Sequence, residues 1–425
     1  MPKLALVGGQ PTFERQLDFR SFWPPVDEIT AKRLLELYRS RKWTAFDEAE
    51  PAFTRAFAAH HGAKFGIFAV NGTVTLQCAL GAYGIGPGDE VIVAPLTWYA
   101  TAIAVRHVGA RPVFVDIKPD TLCIDPDRIE AAITERTKAI IPVHAYGSMA
   151  DMDRIMTLAK AHGLRVIEDC AHMHGGIWDG KGIGSIGDVG SFSFQNSKTM
   201  SSGEGGMCIT NDPDIADRIF RMKQIGYGHG EVPRHAKTAP PRNLLCYNYR
   251  ATAFHAVILQ EQLSSLETRL ERYCNAVSYL EGRLGQSTRI RFQQPETKIE
   301  RQGRFGWMTI FDDPLYADIP IEIIKKALEA EGLQLFRAEG PIYRFVLFNV
   351  DPEHYRIDQP CTVTERICSR GLWLLHAYLG LETSVIEQMA DAIEKVMQNL
   401  DDLRHYAKDN PNRDDIDSYW LGDEI

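Results

Sequence analysis

Between residues 64 and 210 the chain alternates short β-rich runs with stretches that carry the apolar spacing of helices. Seven runs rich in β-branched and aromatic residues are the predicted strands: KFGIFAV, EVIVAP, RPVFVDI, KAIIPVH, LRVIEDC, VGSFSF and GMCITN. Segments such as TVTLQCALGAYG and MADMDRIMTLAKAHG lie between them, with apolar residues three and four positions apart. This alternation predicts an α/β fold, with a mostly parallel seven-stranded sheet covered by helices.

The stretch from 225 to 250 interrupts this pattern with many Gly, Pro and His residues, and it is long enough that we expect it to have a function. The following residues, AFHAVILQEQLSSLETRLERYCNAVSYLEGRL, are typical of one long helix, which we take as the domain boundary. We therefore predict a large α/β domain over 1–262, which includes the N-terminal segment. A smaller α+β domain is predicted over 263–425, ending in an acidic tail.

Composition excludes several classes of protein. A formal net charge of −9 disfavours nucleic-acid binding, which needs basic surfaces to neutralise phosphates. The sequence contains no apolar run of the roughly 18 residues that a membrane span requires, so we expect neither nucleic-acid nor membrane partners. The eight cysteines occur singly, without CxxC pairs, and no export signal precedes them, which predicts free thiols in a reducing cytoplasm.

Three motifs have the spacing of known binding signatures but lack the surrounding residues that those signatures require. GIGSIG at 182–187 has dinucleotide-binding spacing but does not stand between a strand and a helix. GGIWDGKG has Walker-A glycines, yet Gly182 stands where a Ser or Thr must bind Mg²⁺. His172 and His174 beside Cys170 suggest zinc, but no second ligand cluster accompanies them, so no metal site is predicted.

Polar residues follow several of the predicted strands, at the sheet edge where α/β proteins bind ligands. Asn71-Gly72-Thr73 forms a turn at a helix start, where free N–H groups favour phosphate. Trp98 follows EVIVAP, Asp169 ends LRVIED, and Lys198 follows SFSF among small polar residues. A phosphate cradle, an aromatic face, a carboxylate and an amine match what pyridoxal 5'-phosphate requires. Singly, each residue is equally compatible with a turn, a core position or a cap.

Longer stretches carry a family resemblance: NGTVTLQCALGAYGIGPGDEVIVAPLTWYATAIAV, VIEDCAHMHGG, IGDVGSFSFQNSKTMSSGEGGMCITND and YNYRATAFHAVILQEQL. Together they resemble the DegT/DnrJ/EryC1/StrS aminotransferase family over nearly the whole chain. The resemblance implies a fold-type I pyridoxal phosphate transferase, usually a homodimer with shared active sites. Such enzymes transfer an amino group from an amino acid to keto sugars, cyclitol ketones or related carbocycles.

The resemblance also implies roles for individual residues. Lys198 resembles the lysine that forms a Schiff base with the cofactor, and Asp169 the partner of the ring nitrogen. The other implied cofactor contacts are Gly72, Thr73 and Ser193 at the phosphate, Trp98 stacking on the ring, and Asn248 reaching the phosphate from the neighbouring subunit.

Two positions depart from the common family pattern. His172 stands where Gln is common near the ring hydroxyl, and Gln195 replaces a His three residues before the lysine. Both replacements resemble the 3-amino-5-hydroxybenzoate synthase branch, while PVHAYGSMADMD and DTLCIDP resemble glutamine:scyllo-inosose aminotransferases. We therefore expect L-glutamine or L-glutamate as the donor and a cyclic ketone without a nucleotide as the acceptor.

Substrate contacts are expected where the family brings the small domain to the mouth of the active site. The candidates are Arg337, Tyr343 and His376, together with Arg250 in the YNYR motif. Ordinary packing roles are equally compatible with these positions.

Two alternatives stay open at this level. One is an aromatising dehydratase of the aminohydroxybenzoate-synthase type, which keeps the lysine, whereas the family's sugar 3-dehydratases replace it with histidine. The other is a non-catalytic cofactor-binding sensor or accessory subunit, which the Lys198 and Asp169 pair disfavours.

Overall fold

The computed structural model describes residues 2–45, 47–231 and 236–410; the acidic tail beyond 410 lies outside this range. The strands are β1 (Phe65–Ala69), β2 (Glu90–Val93), β3 (Arg111–Phe114), β4 (Thr137–Ile141), β5 (Arg165–Asp169), β6 (Ile177–Trp178), β7 (Lys181–Gly182), β8 (Val189–Ser193), β9 (Gly206–Thr210), β10 (Arg291–Phe292), β11 (Ile299–Arg301), β12 (Gly306–Ile310), β13 (Phe336–Arg337), β14 (Arg356–Ile357) and β15 (Gly371–Leu375). The helices are α1 (Glu28–Ser40), α2 (Ala49–His60), α3 (Gly72–Ala82), α4 (Ala100–His107), α5 (Pro126–Ala132), α6 (Met152–His162), α7 (Pro213–Lys223), α8 (Ala253–Ser264), α9 (Leu266–Ser287), α10 (Ile321–Ala330), α11 (Thr362–Arg370), α12 (His376–Leu379), α13 (Thr383–Gln398) and α14 (Leu400–Asp409).

The large sheet has the strand order β1-β9-β8-β5-β4-β2-β3-β14. All seven predicted strands are present, and the α/β prediction is confirmed. β9 runs antiparallel to both of its neighbours, and the other pairings are parallel. The sheet has eight strands rather than seven, because the two-residue β14 from the C-terminal part of the chain pairs with β3.

Burial on both faces explains why these strands read as continuous apolar runs. Every residue of β2, β8 and β9 is buried, since helices cover both sides of a parallel sheet. The covering helices begin at side-chain caps: the Asp151 carboxylate accepts from Arg154 N before α6, and the Asp212 carboxylate accepts from Asp214 N before α7. Gly163 then ends α6 in the left-handed conformation, at φ 65°.

The long helix predicted after residue 250 is broken at Ser265, so α8 and α9 are separate helices. The two helices pack against different neighbours. α8 lies on α1 and α2, whereas α9 packs against α12 and α13. The apolar spacing continues through the break, which is why the sequence pattern does not reveal it.

The C-terminal region forms a second sheet in the order β10-β12-β15-β13, covered by α9, α10 and α13. The N-terminal segment is bound to this region. The buried carboxylate of Glu331 accepts hydrogen bonds from Ala5 N and Thr12 N, both at 2.9 Å, and pairs with Lys395. Two segments therefore connect the two regions. The N-terminal segment packs on the C-terminal region, and β14 of the C-terminal region pairs with β3 of the large sheet. The division at residue 262 stays a prediction.

Candidate active site

A cavity of about 920 Å³ opens at the carboxyl edge of the large sheet. Its walls come from three parts of the chain: the strand ends of the large sheet, the N-terminal segment at 16–20, and the second sheet. The residues predicted around the cofactor that line it are Gly72, Thr73, Trp98, Asp169, His172, Ser193, Gln195 and Lys198. The fold therefore brings together residues that are up to 126 positions apart in sequence.

The N-terminus of α3 forms one end of the cavity. The Asn71 side chain caps the helix by accepting from Val74 N at 2.9 Å. Gly72 packs closely on β8, because a Cβ there would lie 2.8 Å from Ser193 Cβ. The first N–H groups of a helix have no partner within it, and here they adjoin the Ser193 hydroxyl. This combination suits a phosphate group.

Asp169 is the last residue of β5 and is buried at the centre of the sheet edge. Its Oδ2 accepts from the Thr101 hydroxyl at 2.8 Å, and its Oδ1 accepts from Ala171 N at 3.2 Å. Burial raises the pKa of this carboxyl, and the Thr101 hydrogen bond opposes that shift. A protonated ring nitrogen placed against it would favour the ionised carboxylate.

Lys198 reaches the cavity from the turn that follows β8. Its backbone N–H donates to Gln195 O at 2.9 Å, and its Nζ lies 4.3 Å from the centre of the Phe305 ring. Burial lowers the pKa of this amine, while Glu339 and Asp169 raise it. A desolvated lysine with a lowered pKa is more readily the neutral nucleophile that condenses with an aldehyde.

His172 lies flat against Phe305, with ring centroids 3.7 Å apart and an interplanar angle of 10°. Burial holds the pKa of His172 well below its usual range, so the ring is neutral. Its buried Nδ1 has no hydrogen-bond partner among the described residues. This unsatisfied nitrogen and the unpaired N–H groups of α3 indicate that the cavity holds a polar group, which fits pyridoxal phosphate. Trp98 is 38% exposed and presents an aromatic face to the same cavity.

Gln195 and His376 support the lysine turn. The Gln195 Oε1 accepts from the backbone N–H and the hydroxyl of Ser197, both at 2.8 Å. His376 is buried beneath the turn, and its Nε2–H donates to Ser197 O at 2.9 Å. His376 is not among the described residues that line the cavity, and its predicted contact with the substrate stays a prediction.

Arg337 and Tyr343 are also placed away from the cavity. Arg337 is buried and pairs with Glu322 of α10 at 2.7 Å, because alternation along β13 turns it away while Phe336 faces the cavity. The Tyr343 hydroxyl donates to Glu365, and its ring packs edge-on against Phe114. Neither side chain is positioned to meet a substrate in the described cavity.

Asn248 and Arg250 lie in a strand-like segment beside α7, outside the cavity of their own chain. Asn248 forms a bridge with Gln224, and the Arg250 guanidinium donates to Gln224 Oε1 at 3.3 Å. A contact with the cofactor from this segment requires a second subunit, so both assignments stay predictions.

The sequence alone did not single out several residues that line the cavity. Asp18 and Arg20 come from the N-terminal segment, and Glu339 lies two residues beyond Arg337. Arg20 belongs to a short 3₁₀ turn that the Asp18 side chain caps. Such a cap indicates local structure but does not predict a functional site. Glu339 is next to Gly340, whose φ of 102° marks a backbone position that needs glycine.

GIGSIG has a structural role in holding the residue next to Asp169. The buried Glu168 carboxylate accepts from Gly184 N at 2.9 Å, Ile186 N at 2.9 Å and Gly187 N at 2.6 Å. The His144 Nε2–H donates to the same carboxylate at 3.2 Å. The grouping of His144, Glu168 and Cys170 has ligand-like spacing, but these hydrogen bonds already satisfy its carboxylate.

Comparison with known proteins agrees with this geometry. Residues 25–394 match the model of the DegT/DnrJ/EryC1/StrS aminotransferase family. The chain belongs to this family. It is therefore a pyridoxal phosphate-dependent aminotransferase with the fold-type I architecture, as the sequence predicted.

Two curated relatives in this family match nearly end to end. One is the L-glutamine:2-deoxy-scyllo-inosose aminotransferase of Streptoalloteichus tenebrarius, with 33% identity covering 94% of this chain and 99% of the relative. The other is the L-glutamine:scyllo-inosose aminotransferase of Streptomyces griseus, with 33% identity covering 93% of this chain and 98% of the relative.

The solved structure of 3-amino-5-hydroxybenzoic acid synthase superimposes on this family member with a TM-score of 0.80. Its sequence is 30% identical, and the match covers 88% of this chain and 98% of that structure. No helix among the described residues of this aminotransferase has both the length and the apolar character needed to cross a membrane.

Proposed function

We propose that this aminotransferase moves the amino group of L-glutamine to a ketone on a polyhydroxylated carbocyclic ring. The observation that carries the proposal is one cavity holding a lysine with a lowered pKa, a buried carboxylate and an open helix N-terminus. Full-length likeness to glutamine-dependent cyclitol aminotransferases supports the choice of substrates.

Pyridoxal phosphate, when bound, supplies an aldehyde that takes up the amino group and a ring that accepts electrons from the substrate carbon. The α3 N-terminus with Ser193 would hold its phosphate, and Asp169 would hold its ring nitrogen protonated. His172, whose buried Nδ1 has no partner among the described residues, would lie near the ring hydroxyl.

Lys198 has two tasks in this proposal. Its Nζ would hold the cofactor through the aldehyde, and once a substrate amine has freed it, the Nζ would take up and deliver a proton at the substrate carbon. The Phe305 ring and the Gln195 turn keep the amine in the cavity during both tasks.

The charges in the cavity support an acceptor without phosphate groups. Among the described residues that line it, the cations are Lys198 and Arg20, and the carboxylates are Asp18, Asp169, Glu204 and Glu339. A nucleotide diphosphate sugar needs cations for its phosphates. A neutral polyol ring meets no such cost here, because hydroxyl groups donate to carboxylates.

A homodimer completes the proposal. Helix α1 has no buried residue, although it carries Ile29, Leu35 and Tyr38, which are 63%, 47% and 60% exposed. An exposed apolar helix face, in a chain whose Asn248 does not line its own cavity, favours a second copy of the chain as the cover. All eight cysteines are free thiols, which supports a reducing, cytoplasmic setting.

Visible absorption of the purified holoenzyme tests the proposed function. The cofactor's aldehyde absorbs in the visible range, so addition of L-glutamine without acceptor should bleach the protein and release one keto acid per site. Addition of scyllo-inosose should then restore the colour. A yellow protein that no amino acid bleaches would contradict the aminotransferase cycle, and bleaching that scyllo-inosose does not reverse would contradict the acceptor.

A further inference from the structure

Glu339 places a carboxylate in the active-site cavity that no residue of the described chain neutralises directly. Its Oε2 is buried and has no hydrogen-bond partner within the described parts of the chain. Burial raises the pKa of this carboxyl, and the nearby Lys198 amine lowers it, so Glu339 belongs to the reaction centre rather than to the rim. Burial of a carboxylate oxygen without a hydrogen-bond donor is unfavourable in free energy, and a ligand that supplies the donor offsets this penalty.

The backbone around Glu339 is held from both sides of the cavity. Glu339 N donates to the Tyr146 hydroxyl at 3.0 Å, and Ala338 N donates to Gly371 O at 3.1 Å. Ile342 N donates to Pro95 O at 3.0 Å, and a Cβ on Gly340 would lie 2.6 Å from that same oxygen. The carboxylate therefore stands at a defined place where the large sheet meets the second sheet.

The surroundings of this carboxylate suit a ring that carries hydroxyl groups. Trp98, Phe305, Phe336 and Trp373 contribute aromatic side chains to the cavity, and Glu339 is one of the four carboxylates that line it. A carbocyclic polyol has apolar C–H faces that pack on aromatic rings, and hydroxyl edges that donate hydrogen bonds. Pockets that fix such ligands combine apolar walls with a few well-placed polar groups.

Charge decides which of the two substrates Glu339 meets. The amino acid donor carries a carboxylate, which a second carboxylate repels in a desolvated cavity. Arg20, an exposed residue of the N-terminal wall, offers that carboxylate a partner. The ketone has no charge to repel and several hydroxyls to donate.

We propose that Glu339 is a specificity residue, which accepts a hydrogen bond from a ring hydroxyl of the ketone acceptor. This inference rests on the proposed function and deepens it. This hydrogen bond would contribute only to the half-reaction with the ketone. Its loss should therefore slow that half-reaction and leave the half-reaction with L-glutamine nearly unchanged.

The test compares Glu339→Gln with wild-type holoenzyme in each half-reaction. Glutamine keeps the size of the side chain but presents an amide N–H₂ in place of one acceptor oxygen. We expect bleaching by L-glutamine to stay within about threefold of wild type. The kcat/KM for scyllo-inosose should fall roughly 10- to 150-fold. With cyclohexanone, which has no hydroxyls, the two proteins should react at similar rates.

Binding provides a readout that does not require turnover. The aldehyde form of the holoenzyme has no amino group to transfer, so calorimetric titration with scyllo-inosose measures the ketone's affinity alone. The Kd of Glu339→Gln should rise by a factor similar to that of the fall in kcat/KM. Glu339→Asp keeps the charge on a shorter side chain, so its Kd should lie between those of wild type and Glu339→Gln. It replaces the Gln variant in the test if that variant misfolds. Glu353→Gln, an exposed position in the same region, is the matched control and should behave as wild type.

Three results would overturn the assignment. Equal slowing of both half-reactions would make Glu339 a group that tunes Lys198. Slowing of the glutamine half-reaction alone would place it on the donor amide. Unchanged ketone affinity would show no contact at all. A protein that no amino acid bleaches would instead refute the proposed function, while the titration would still decide whether Glu339 binds the ketone.

Discussion

At the scale of single residues, the position of Lys198 in the chain and its environment in the fold have different origins. Lys198 stands among small polar residues, and its position after a strand made it recognisable in the sequence. Its environment came from remote parts of the chain, because Phe305, Asp169 and Glu339 surround it. Burial in this environment lowers the pKa of the amine, while Glu339 and Asp169 raise it, and no pattern near residue 198 encodes these neighbours.

Replacement of this lysine tests its role directly. Lys198→Ala should reduce turnover to an undetectable level, because neither condensation with the aldehyde nor proton transfer has a substitute group. The circular dichroism spectrum and the unfolding midpoint should remain close to those of wild type, since a desolvated amine is removed. Lys181→Ala changes an exposed lysine on β7 and should keep full activity. Substantial turnover by pure Lys198→Ala protein would refute the assignment.

At the scale of elements, the end of β5 shows how a loop positions a side chain that lines the cavity. Glu168 and Asp169 are consecutive and point in opposite directions, as strand geometry requires. The GIGSIG loop and His144 hold Glu168 on one face, which orients Asp169 toward the cavity on the other. His144 N also donates to Asp169 O at 3.1 Å, which ties the same two elements together.

Glu168→Gln should therefore destabilise the protein. The amide turns an N–H₂ group toward backbone N–H groups that need an acceptor, and the charge that strengthens those bonds is lost. We expect a loss of about 2–4 kcal/mol in the free energy of unfolding, measured by urea denaturation of the holoenzyme. Glu135→Gln, at an exposed position after α5, should change it by less than about 0.5 kcal/mol. Equal stability of the two variants would show that the loop does not depend on Glu168.

At the scale of the whole molecule, buried neutral histidines couple the fold to pH. Burial lowers the pKa of both His61 and His376 to about 3. His61 has both nitrogens occupied, since Nδ1–H donates to Phe57 O at 3.0 Å and Nε2 accepts from Gly175 N at 3.0 Å. Neutral rings of this kind connect α2, the loop after β5 and the lysine turn.

Acid should destabilise the fold below about pH 6.5. The folded pKa of each histidine lies below the ordinary value of 6.5, so the unfolded chain takes up protons first as the pH falls. Stability is complete above pH 6.5 and is lost by about 1.4 kcal/mol per pH unit for each histidine as the pH falls toward 3. Urea denaturation at pH 7.5 and 5.5 measures the slope. His61→Gln, which cannot titrate, should reduce it by one histidine's share, and an unchanged slope would exclude His61 as a source.

The proposed dimer makes a prediction of its own. If Asn248 reaches the phosphate of the neighbouring subunit, Asn248→Ala should weaken pyridoxal phosphate binding by roughly 10-fold without changing the subunit's own stability. Equilibrium dialysis gives the affinity, and light scattering gives the mass of the assembly. Asn349→Ala, at an exposed position far along the chain, is the control. Unchanged cofactor affinity in a dimeric Asn248→Ala protein would argue against a shared site.

The sequence by itself determined the strands of the large sheet, the α/β class and the cofactor end of the cavity. These features depend on local periodicity and on motifs at strand ends, such as Gly72-Thr73, Asp169 and Lys198, so a single pattern carries each of them. The family resemblance extended the same local motifs to an activity, which the comparisons confirm.

Only the tertiary structure decided the side of the cavity that Glu339 lines. Arg337 and Glu339 are two positions apart, yet one pairs with α10 and the other faces the reaction centre. The sequence pattern also does not predict three other features: the break at Ser265, the eighth strand and the N-terminal wall at 16–20. The physical reason is the same in each case: these features depend on which distant surface an element packs against, and local residue patterns do not carry that information.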